Sequence, residues 1–203
     1  NIKCLNKNQL EKKLRIKFLK KNIIVNFHPT TLEKGSAKKQ IVEVLNTVKS
    51  LKDTCLIFTM PGAEVENKII INKIKKFVTK NKNAYFFKSL GQKNYFSVLK
   101  IVDMMLGNSS SGLLEMPTFK KATINLGNRQ SGRLKSTSII NSKIKKKLIT
   151  NAINKVYQKK FQKKLTNCKS PYGNGGASLK ILKIIKKINL KNLINKKFYD
   201  VQF

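Results

Sequence analysis

The sequence predicts an α/β fold built on a doubly wound parallel sheet. Short, continuous apolar runs rich in β-branched and aromatic residues alternate with longer lysine-rich segments that carry an apolar residue every three or four positions. The short runs are typical of strands buried on both faces, and the longer segments are typical of amphipathic helices. Glycine, proline and polar residues follow several of the runs, as they do at the ligand-binding edge of such sheets. This alternation favours parallel strands joined by right-handed crossovers.

The first half of the chain follows this alternation from its beginning. A helix is predicted over 8–21, because Leu10, Leu14 and Phe18 recur at four-residue spacing among lysines. The apolar run 22–27 then predicts a buried strand. The same patterns predict a helix over 36–51, a strand over 54–59, a helix over 65–80 and a strand over 84–88.

The second half continues in the same order. We predict a helix over 94–100, a strand over 101–106, a short helix through 113–115, strands over 122–126 and 136–140, and helices over 142–156 and 178–188. The tail 189–203 has no clear pattern, and fraying or docking on another domain both stay open. Because 203 residues suffice for one core and no Ser/Gly/Pro-rich linker divides them, we expect 1–203 to form a single domain.

The formal net charge of +35 would ordinarily point to nucleic acid or an anionic membrane surface. The positive residues are nearly all lysine, however, and they are spread over every predicted helix together with abundant asparagine and isoleucine. AT-rich codons supply these three residue types, so genomic composition explains the charge. We therefore expect no specific nucleic-acid partner and no membrane partner, although salt-sensitive binding to polyanions follows from the charge itself.

Cysteine and histidine usage argues against a metal site. The three cysteines show no CxxC spacing, and His28 is the only histidine. These residues cannot form a zinc cluster, and the few unpatterned thiols fit a reducing cytoplasm. No apolar run reaches the length of a membrane span and no signal peptide is visible. We expect a cytoplasmic protein without a metal or cofactor.

The run Gly107-Asn108-Ser109-Ser110-Ser111-Gly112 is the first candidate site. It follows an apolar strand and opens a short helix, whose first N–H groups lack partners and attract anions. The alternative is a serine-rich loop that only caps a helix, and on this run alone neither interpretation prevails. A capping box is excluded, because Leu114 and not Glu or Gln stands three residues after Ser111.

Arginine placement gives the second signal. The chain contains three arginines, and two of them, Arg129 and Arg133, flank Gln130-Ser131-Gly132 just after the predicted strand 122–126. A planar guanidinium binds phosphate or carboxylate oxygens through two parallel bonds, which lysine cannot do. In a chain that otherwise uses lysine, this placement suggests an anion-binding role.

Five blocks of the sequence resemble the hydrolysing UDP-N-acetylglucosamine 2-epimerases, including the relatives that act on UDP-N,N'-diacetylbacillosamine in sialic and legionaminic acid synthesis. The blocks are Val25–Glu33, Phe58–Glu64, Ser89–Gly91, Gly107–Arg133 and Pro171–Ser178. The resemblance implies a Rossmann-like fold equivalent to the C-terminal half of a two-domain, glycosyltransferase-B-type protein. The N-terminal domain is absent from this chain and would be its partner, and assembly as a homo-oligomer is left open.

The resemblance also implies roles for individual residues. His28, Arg129 and the Ser109–Ser110 pair lie near the diphosphate in such enzymes, Glu115 near the ribose or sugar, and Ser89–Gly91 with Tyr95 near the uracil. Gly62 belongs to the sugar region, where some relatives have asparagine, and many have aspartate in place of Glu64. For His28 and Tyr95 a purely structural role is the alternative, since lone histidines and helix aromatics more often belong to the core.

The implied reaction removes the C2 proton of a UDP-N-acetylhexosamine, eliminates UDP and adds water to the resulting glycal. The products are UDP and free ManNAc or a 2,4-diacetamido-2,4,6-trideoxymannose. The acids and bases that act at C2 belong largely to the absent domain, and this chain shows no close pair of carboxylates. A non-catalytic remnant that binds nucleotide sugars or polyanions is therefore the alternative. The non-hydrolysing branch carries a TDSGG-like turn and an HRREN-like segment, and neither is present here.

Overall fold

The computed structural model describes residues 2–30, 35–189 and 200. The chain divides into two compact units, Asn1–Tyr172 and Gly173–Phe203. The tail 189–203 lies outside the described residues except for Asn189 and Asp200, as do Thr31, Leu32 and Glu33 of the first resembling block.

The larger unit is built on a six-stranded parallel sheet. Its strands are β1 Lys21–Asn26, β2 Thr54–Thr59, β3 Ala84–Phe87, β4 Met104–Gly107, β5 Ala122–Leu126 and β6 Ile139–Ser142. Its helices are α1 Lys7–Leu14, α2 Ala37–Lys49, α3 Asn67–Val78, α4 Gly91–Ile101, α5 Ser111–Leu114, α6 Lys146–Val156 and α7 Lys159–Thr166, with a 3-10 turn at Met116–Phe119. The smaller unit contains α8, Ala177–Lys187, none of whose residues is buried. No helix in the described part of the chain is long and apolar enough to cross a bilayer.

Alternate side chains of each central strand enter two separate cores, one on each face of the sheet. In β1, Ile23 and Val25 pack with α2, α3, α6 and α7, whereas Ile24 packs with α1 and α4. In β4, Met104 and Met105 divide in the same way. A strand buried on both faces has no polar side, which is why these segments read as continuous apolar runs. The predicted doubly wound α/β fold is confirmed.

The strand order is β3-β2-β1-β4-β5-β6. The chain moves outward in one direction from β1 and in the opposite direction from β4, so the loops that leave these two neighbours diverge. Open α/β sheets bind ligands in the crevice that this reversal creates at the carboxyl ends of the strands. The end of β1 and the end of β4 therefore define where a ligand is expected.

Several predicted boundaries are wrong for local reasons. The helix predicted over 8–21 ends at Leu14, because Arg15 has a φ of 53° and the Glu11 carboxylate accepts a hydrogen bond from the Phe18 N–H group at 2.7 Å. The strand predicted over 101–106 begins at Met104, since Ile101 closes α4. The last strand lies at 139–142 instead of 136–140, and its following helix begins at Lys146. Helix α7 was not predicted as a separate element.

Candidate functional site

The ends of β1 and β4 meet through a glycine that no other residue can replace without strain. Gly107 has a φ of +151°, and a Cβ atom there would lie 1.9 Å from the carbonyl oxygen of Asn26. The next residue, Asn108, donates its N–H group to that same carbonyl at 3.1 Å. Gly107 therefore brings the serine-rich loop directly beside the loop that carries His28.

Asn108 is the structural centre of this edge. Its side-chain Oδ1 accepts a hydrogen bond from the His28 N–H group at 2.7 Å, and its Nδ2 donates to the His28 carbonyl at 2.8 Å. Its backbone carbonyl accepts from Arg129 Nη1 at 3.1 Å and from Gln130 Nε2 at 2.8 Å. Asn108 and Gln130 are almost fully buried. One buried asparagine therefore holds the loops after β1, β4 and β5 together.

A second set of contacts joins His28 to Arg129 through Glu64. Glu64 Oε1 accepts from Arg129 Nη2 at 2.9 Å and lies 3.5 Å from His28 Nδ1. The Gly62 N–H group donates to the same Nδ1 at 3.1 Å. Because a backbone N–H cannot accept, Nδ1 is the unprotonated nitrogen and the imidazole proton is on Nε2. The approach of Glu64 to His28 is therefore a contact with a neutral ring.

The ionisation of His28 agrees with a neutral ring. Burial lowers the pKa of His28 below its usual 6.5, and the positive charge of Arg129 lowers it further. Glu64 acts in the opposite direction but more weakly. Near pH 7 this cluster therefore presents the guanidinium of Arg129 and a neutral N–H donor, His28 Nε2.

The Tyr95 hydroxyl is the centre of a neighbouring cluster. It accepts a hydrogen bond from Asn26 Nδ2 at 2.8 Å and contacts Ser111 Oγ at 2.5 Å. The Thr59 hydroxyl donates to Asn26 Oδ1 at 2.6 Å. Burial raises the pKa of Tyr95 to about 12. Residues at the ends of β1 and β2 are thus connected to the first residue of α5.

The serine-rich loop has open hydrogen-bond donors. Within the described chain, the backbone N–H groups of Ser109 and Ser110 have no protein acceptor. Ser110 precedes α5 but its side chain makes no capping bond, whereas Ser109 Oγ accepts from the Ser111 N–H group at 3.4 Å, so the helix-capping interpretation is wrong for Ser110 and stays open for Ser109. Helix α5 has only four residues, so its dipole is small and the individual donors matter more. Glu115 follows α5, and its buried Oε2 has no hydrogen-bond partner among the described residues.

A shallow pocket of about 320 Å³ lies beside Tyr95. It is lined by Thr59, Lys88, Ser89, Leu90, Gly91, Gln92 and Tyr95. A larger cavity of about 710 Å³ lies between β6 and α6–α7, and none of the predicted site residues lines it. The small pocket coincides with the segment that the resemblance assigns to uracil.

The structure brings most of the predicted site residues to one edge of the sheet. His28, Gly62 and Arg129 form one cluster, and Tyr95 forms the other. Ser109 and Ser110 precede Ser111 on its loop, and the charge of Glu115 acts on Tyr95. Arg133 is exposed. No group of three His, Cys, Asp or Glu side chains in the described ranges could hold a metal ion.

Sequence reasoning assigned no individual role to four residues of this edge, namely Asn26, Thr59, Asn108 and Gln130. A signal was present, because Asn26 and Thr59 are polar residues that end otherwise apolar strands, and the carboxyl ends of parallel strands meet at one edge. The role of Asn108 had no such signal, since an asparagine in a Gly/Ser-rich run is equally typical of a turn.

Comparison with known proteins identifies the family. The family model described as UDP-N-acetylglucosamine 2-epimerase matches residues 2–186. The chain is 40% identical over 204 residues to a GDP/UDP-N,N'-diacetylbacillosamine 2-epimerase (hydrolyzing) of Campylobacter jejuni. The matched segment covers 99% of this chain and 52% of that protein. It is 37% identical over 198 residues to polysialic acid biosynthesis protein P7 of Escherichia coli. That match covers 97% of this chain and 50% of the P7 protein.

Comparison of the fold with solved structures gives a similar result. The S. aureus MnaA–UDP co-structure superimposes with a TM-score of 0.66 at 18% sequence identity, over 90% of this chain and 48% of that chain. The chain spans about half the length of the curated relatives that it matches. On the family match and these identities, the chain belongs to the UDP-N-acetylglucosamine 2-epimerase family.

Proposed function

We propose that this chain is the nucleotide-holding half of a hydrolysing UDP-N-acetylhexosamine 2-epimerase. The observation that carries the proposal is the shared support of His28 and Arg129 by Asn108 at the point where the strand order reverses. A cation and a neutral N–H donor, both held by bonds to the buried Asn108 at a ligand-binding edge, suit a diphosphate. The reaction type is taken from the names of the relatives, and the residues of this chain would bind the diphosphate.

The diphosphate would lie between the serine-rich loop and Arg129. The N–H groups of Ser109 and Ser110 have no protein acceptor in the described chain. Arg129 has two acceptors, Glu64 and the Asn108 carbonyl, and its guanidinium has further N–H groups for a ligand. A bound diphosphate would compete with Glu64 for Arg129. His28 Nε2 would add a donor that carries no charge of its own.

The nucleoside would extend from this point toward Tyr95. The pocket lined by Ser89, Leu90 and Gly91 would hold the edge of a base against the backbone of these residues, with Tyr95 beside it. The unpartnered Oε2 of Glu115 is a suitable acceptor for a ribose hydroxyl, because a buried carboxylate oxygen without a donor is costly until a ligand supplies one. Gly62 would lie near the start of the sugar, since its N–H group donates to His28 Nδ1 beside the proposed diphosphate position.

In the proposed reaction this half stabilises the leaving group. Elimination of UDP places negative charge on the diphosphate, and donors fixed in advance lower the barrier to that step. The proton transfer at C2 and the addition of water would use residues of the other half of the protein. The products would be UDP and free ManNAc or a 2,4-diacetamido-2,4,6-trideoxymannose, in the cytoplasm.

Titration calorimetry of this chain with UDP, GDP and inorganic pyrophosphate tests the proposal. GDP is included because the name of the Campylobacter relative gives both nucleotides. We expect a nucleoside diphosphate to bind in preference to pyrophosphate, and this preference to persist at high salt. Equal binding of all three ligands that disappears at high salt would contradict the proposal.

The net charge of +35 favours one alternative, a non-catalytic module that binds polyanions through its lysines. Charge reversal at Arg129 separates the two functions. In the variant Arg129→Glu, UDP affinity should collapse if Arg129 belongs to a nucleotide site. Affinity for DNA should hardly change, because one charge among many contributes little to a diffuse field.

A further inference from the structure

A chain of hydrogen bonds connects three strand ends to the third serine of the loop. It begins at the Thr59 hydroxyl, which donates to Asn26 Oδ1 at 2.6 Å, and Asn26 Nδ2 donates to the Tyr95 hydroxyl at 2.8 Å. The Tyr95 hydroxyl and Ser111 Oγ are 2.5 Å apart. Asn26, at the centre of this chain of bonds, is buried.

Counting hydrogens along this chain favours one direction for its last bond, between Tyr95 and Ser111. The Tyr95 hydroxyl already accepts from Asn26, and among the described residues its own hydrogen has one available acceptor, Ser111 Oγ. Because a buried phenol hydrogen without an acceptor is costly, the favoured direction has Tyr95 donating to Ser111 Oγ, whose own hydrogen then has no protein acceptor in the described chain. A hydroxyl that accepts one hydrogen bond becomes a stronger donor for the next.

Ser111 lies on the same loop as the open donors of Ser109 and Ser110. The Ser111 N–H group contacts Ser109 Oγ at 3.4 Å, which keeps the three residues in one turn. The loop therefore presents the Ser109 and Ser110 N–H groups and, in this direction of bonding, the Ser111 hydroxyl hydrogen to a ligand. A phosphate has only acceptor oxygens when it is fully ionised, whereas a ribose hydroxyl also needs an acceptor for its own hydrogen.

We propose that Ser111 donates its hydroxyl hydrogen to a phosphate oxygen of the bound nucleoside diphosphate, and that Tyr95 is the positioning residue that holds Ser111 in this role. This rests on the proposed function. It gives the Tyr95 hydroxyl a task distinct from that of its ring, which lines the base pocket. The raised pKa of Tyr95 keeps the phenol protonated, so Tyr95 remains a donor throughout the physiological pH range.

The experiment measures UDP and uridine binding to the full chain and to the variants Ser111→Ala, Tyr95→Phe and the double variant. We expect UDP affinity to fall about tenfold for Ser111→Ala and about fivefold for Tyr95→Phe, as for the loss of one charge-assisted hydrogen bond. Uridine affinity should not change, because it has no phosphate. The double variant should bind UDP no more weakly than Ser111→Ala, since Tyr95 acts through Ser111.

Tyr85→Phe is the matched control, because the Tyr85 hydroxyl accepts from the Lys17 N–H group and belongs to neither cluster of the site. It should leave UDP affinity unchanged, and thermal unfolding without ligand shows whether each variant is folded. Unchanged UDP affinity of folded Ser111→Ala or Tyr95→Phe, an equal loss for uridine, or additive losses in the double variant would overturn the inference. Failure of the unaltered chain to bind any nucleoside diphosphate would instead overturn the proposed function, and this inference with it.

Discussion

The side chain of Asn108 holds the backbone of His28 from both sides, with its Oδ1 accepting at 2.7 Å and its Nδ2 donating at 2.8 Å. These bonds join the loop after β4 to the loop after β1 where the strand order reverses. The carbonyl of the same asparagine accepts from Arg129. The two groups assigned to the diphosphate therefore depend on one buried residue.

Replacing Asn108 should affect both stability and binding. In Asn108→Ala the N–H and carbonyl groups of His28 lose their partner, which should lower the free energy of unfolding by about 2 kcal/mol. UDP affinity should fall as well, because His28 is no longer held in place. Urea unfolding and calorimetry measure the two effects. Asn128→Ala, at an exposed position of the loop after β5, is the control. An equal effect of the two substitutions on stability and UDP affinity would contradict the role of Asn108.

Arg129 should contribute a large part of the UDP affinity. Arg129→Ala removes the cation and leaves Glu64 without its ion-pair partner, so we expect a loss of roughly 1.5–3 kcal/mol in UDP binding. Arg15→Ala removes the same charge just after α1 and should be silent. Calorimetry decides between them, and equal losses for the two arginines would mean that general charge is being measured.

Stability should depend on pH through His28, the only histidine. Its pKa is lowered in the folded chain, chiefly by burial, so below its usual pKa of 6.5 the unfolded chain binds the proton more readily. The contribution of His28 to stability is therefore present above pH 6.5 and is lost as the pH falls below that value. Urea unfolding of the unaltered chain and of His28→Gln from neutral to acid pH measures this. If the unaltered chain instead became more stable relative to His28→Gln as the pH falls, the assignment would be contradicted.

The chain alone should fold but release no UDP from a UDP-sugar. The reason is that the proposed site is one side of a cleft, and the groups that act at C2 would lie on the other half. Circular dichroism and a UDP-release assay check the two parts of this prediction. Robust turnover by this polypeptide alone would refute the proposal that the groups acting at C2 lie on the other half.

Much of the fold follows from the sequence because burial on both faces leaves a plain signature. The segments of β2 and β5 were predicted with their observed bounds, since each is a continuous apolar run that ends at a polar or glycine-rich turn. Element ends were less predictable where tertiary contacts decide them. Asp103, for example, accepts from the Asn22 N–H group at 2.7 Å and so ties the loop before β4 to β1.

The candidate site was predictable as a location but not as a set of contacts. Parallel strands bring His28, Gly62 and the Ser109–Ser110 pair to one edge whatever the side chains do. That Asn108 supports both His28 and Arg129, and that the Tyr95 hydroxyl connects Asn26 to Ser111, depends on side-chain directions that no periodicity encodes.

The most direct test of the central claim uses a two-domain protein that carries this chain as its second half, supplied with UDP-GlcNAc or UDP-N,N'-diacetylbacillosamine. The reaction would be followed by proton NMR. The proposed function predicts that UDP appears in step with free ManNAc or a 2,4-diacetamido-2,4,6-trideoxymannose, and that Arg129→Ala slows both together. Accumulation of an intact UDP-linked manno sugar without free UDP would contradict the hydrolysing assignment.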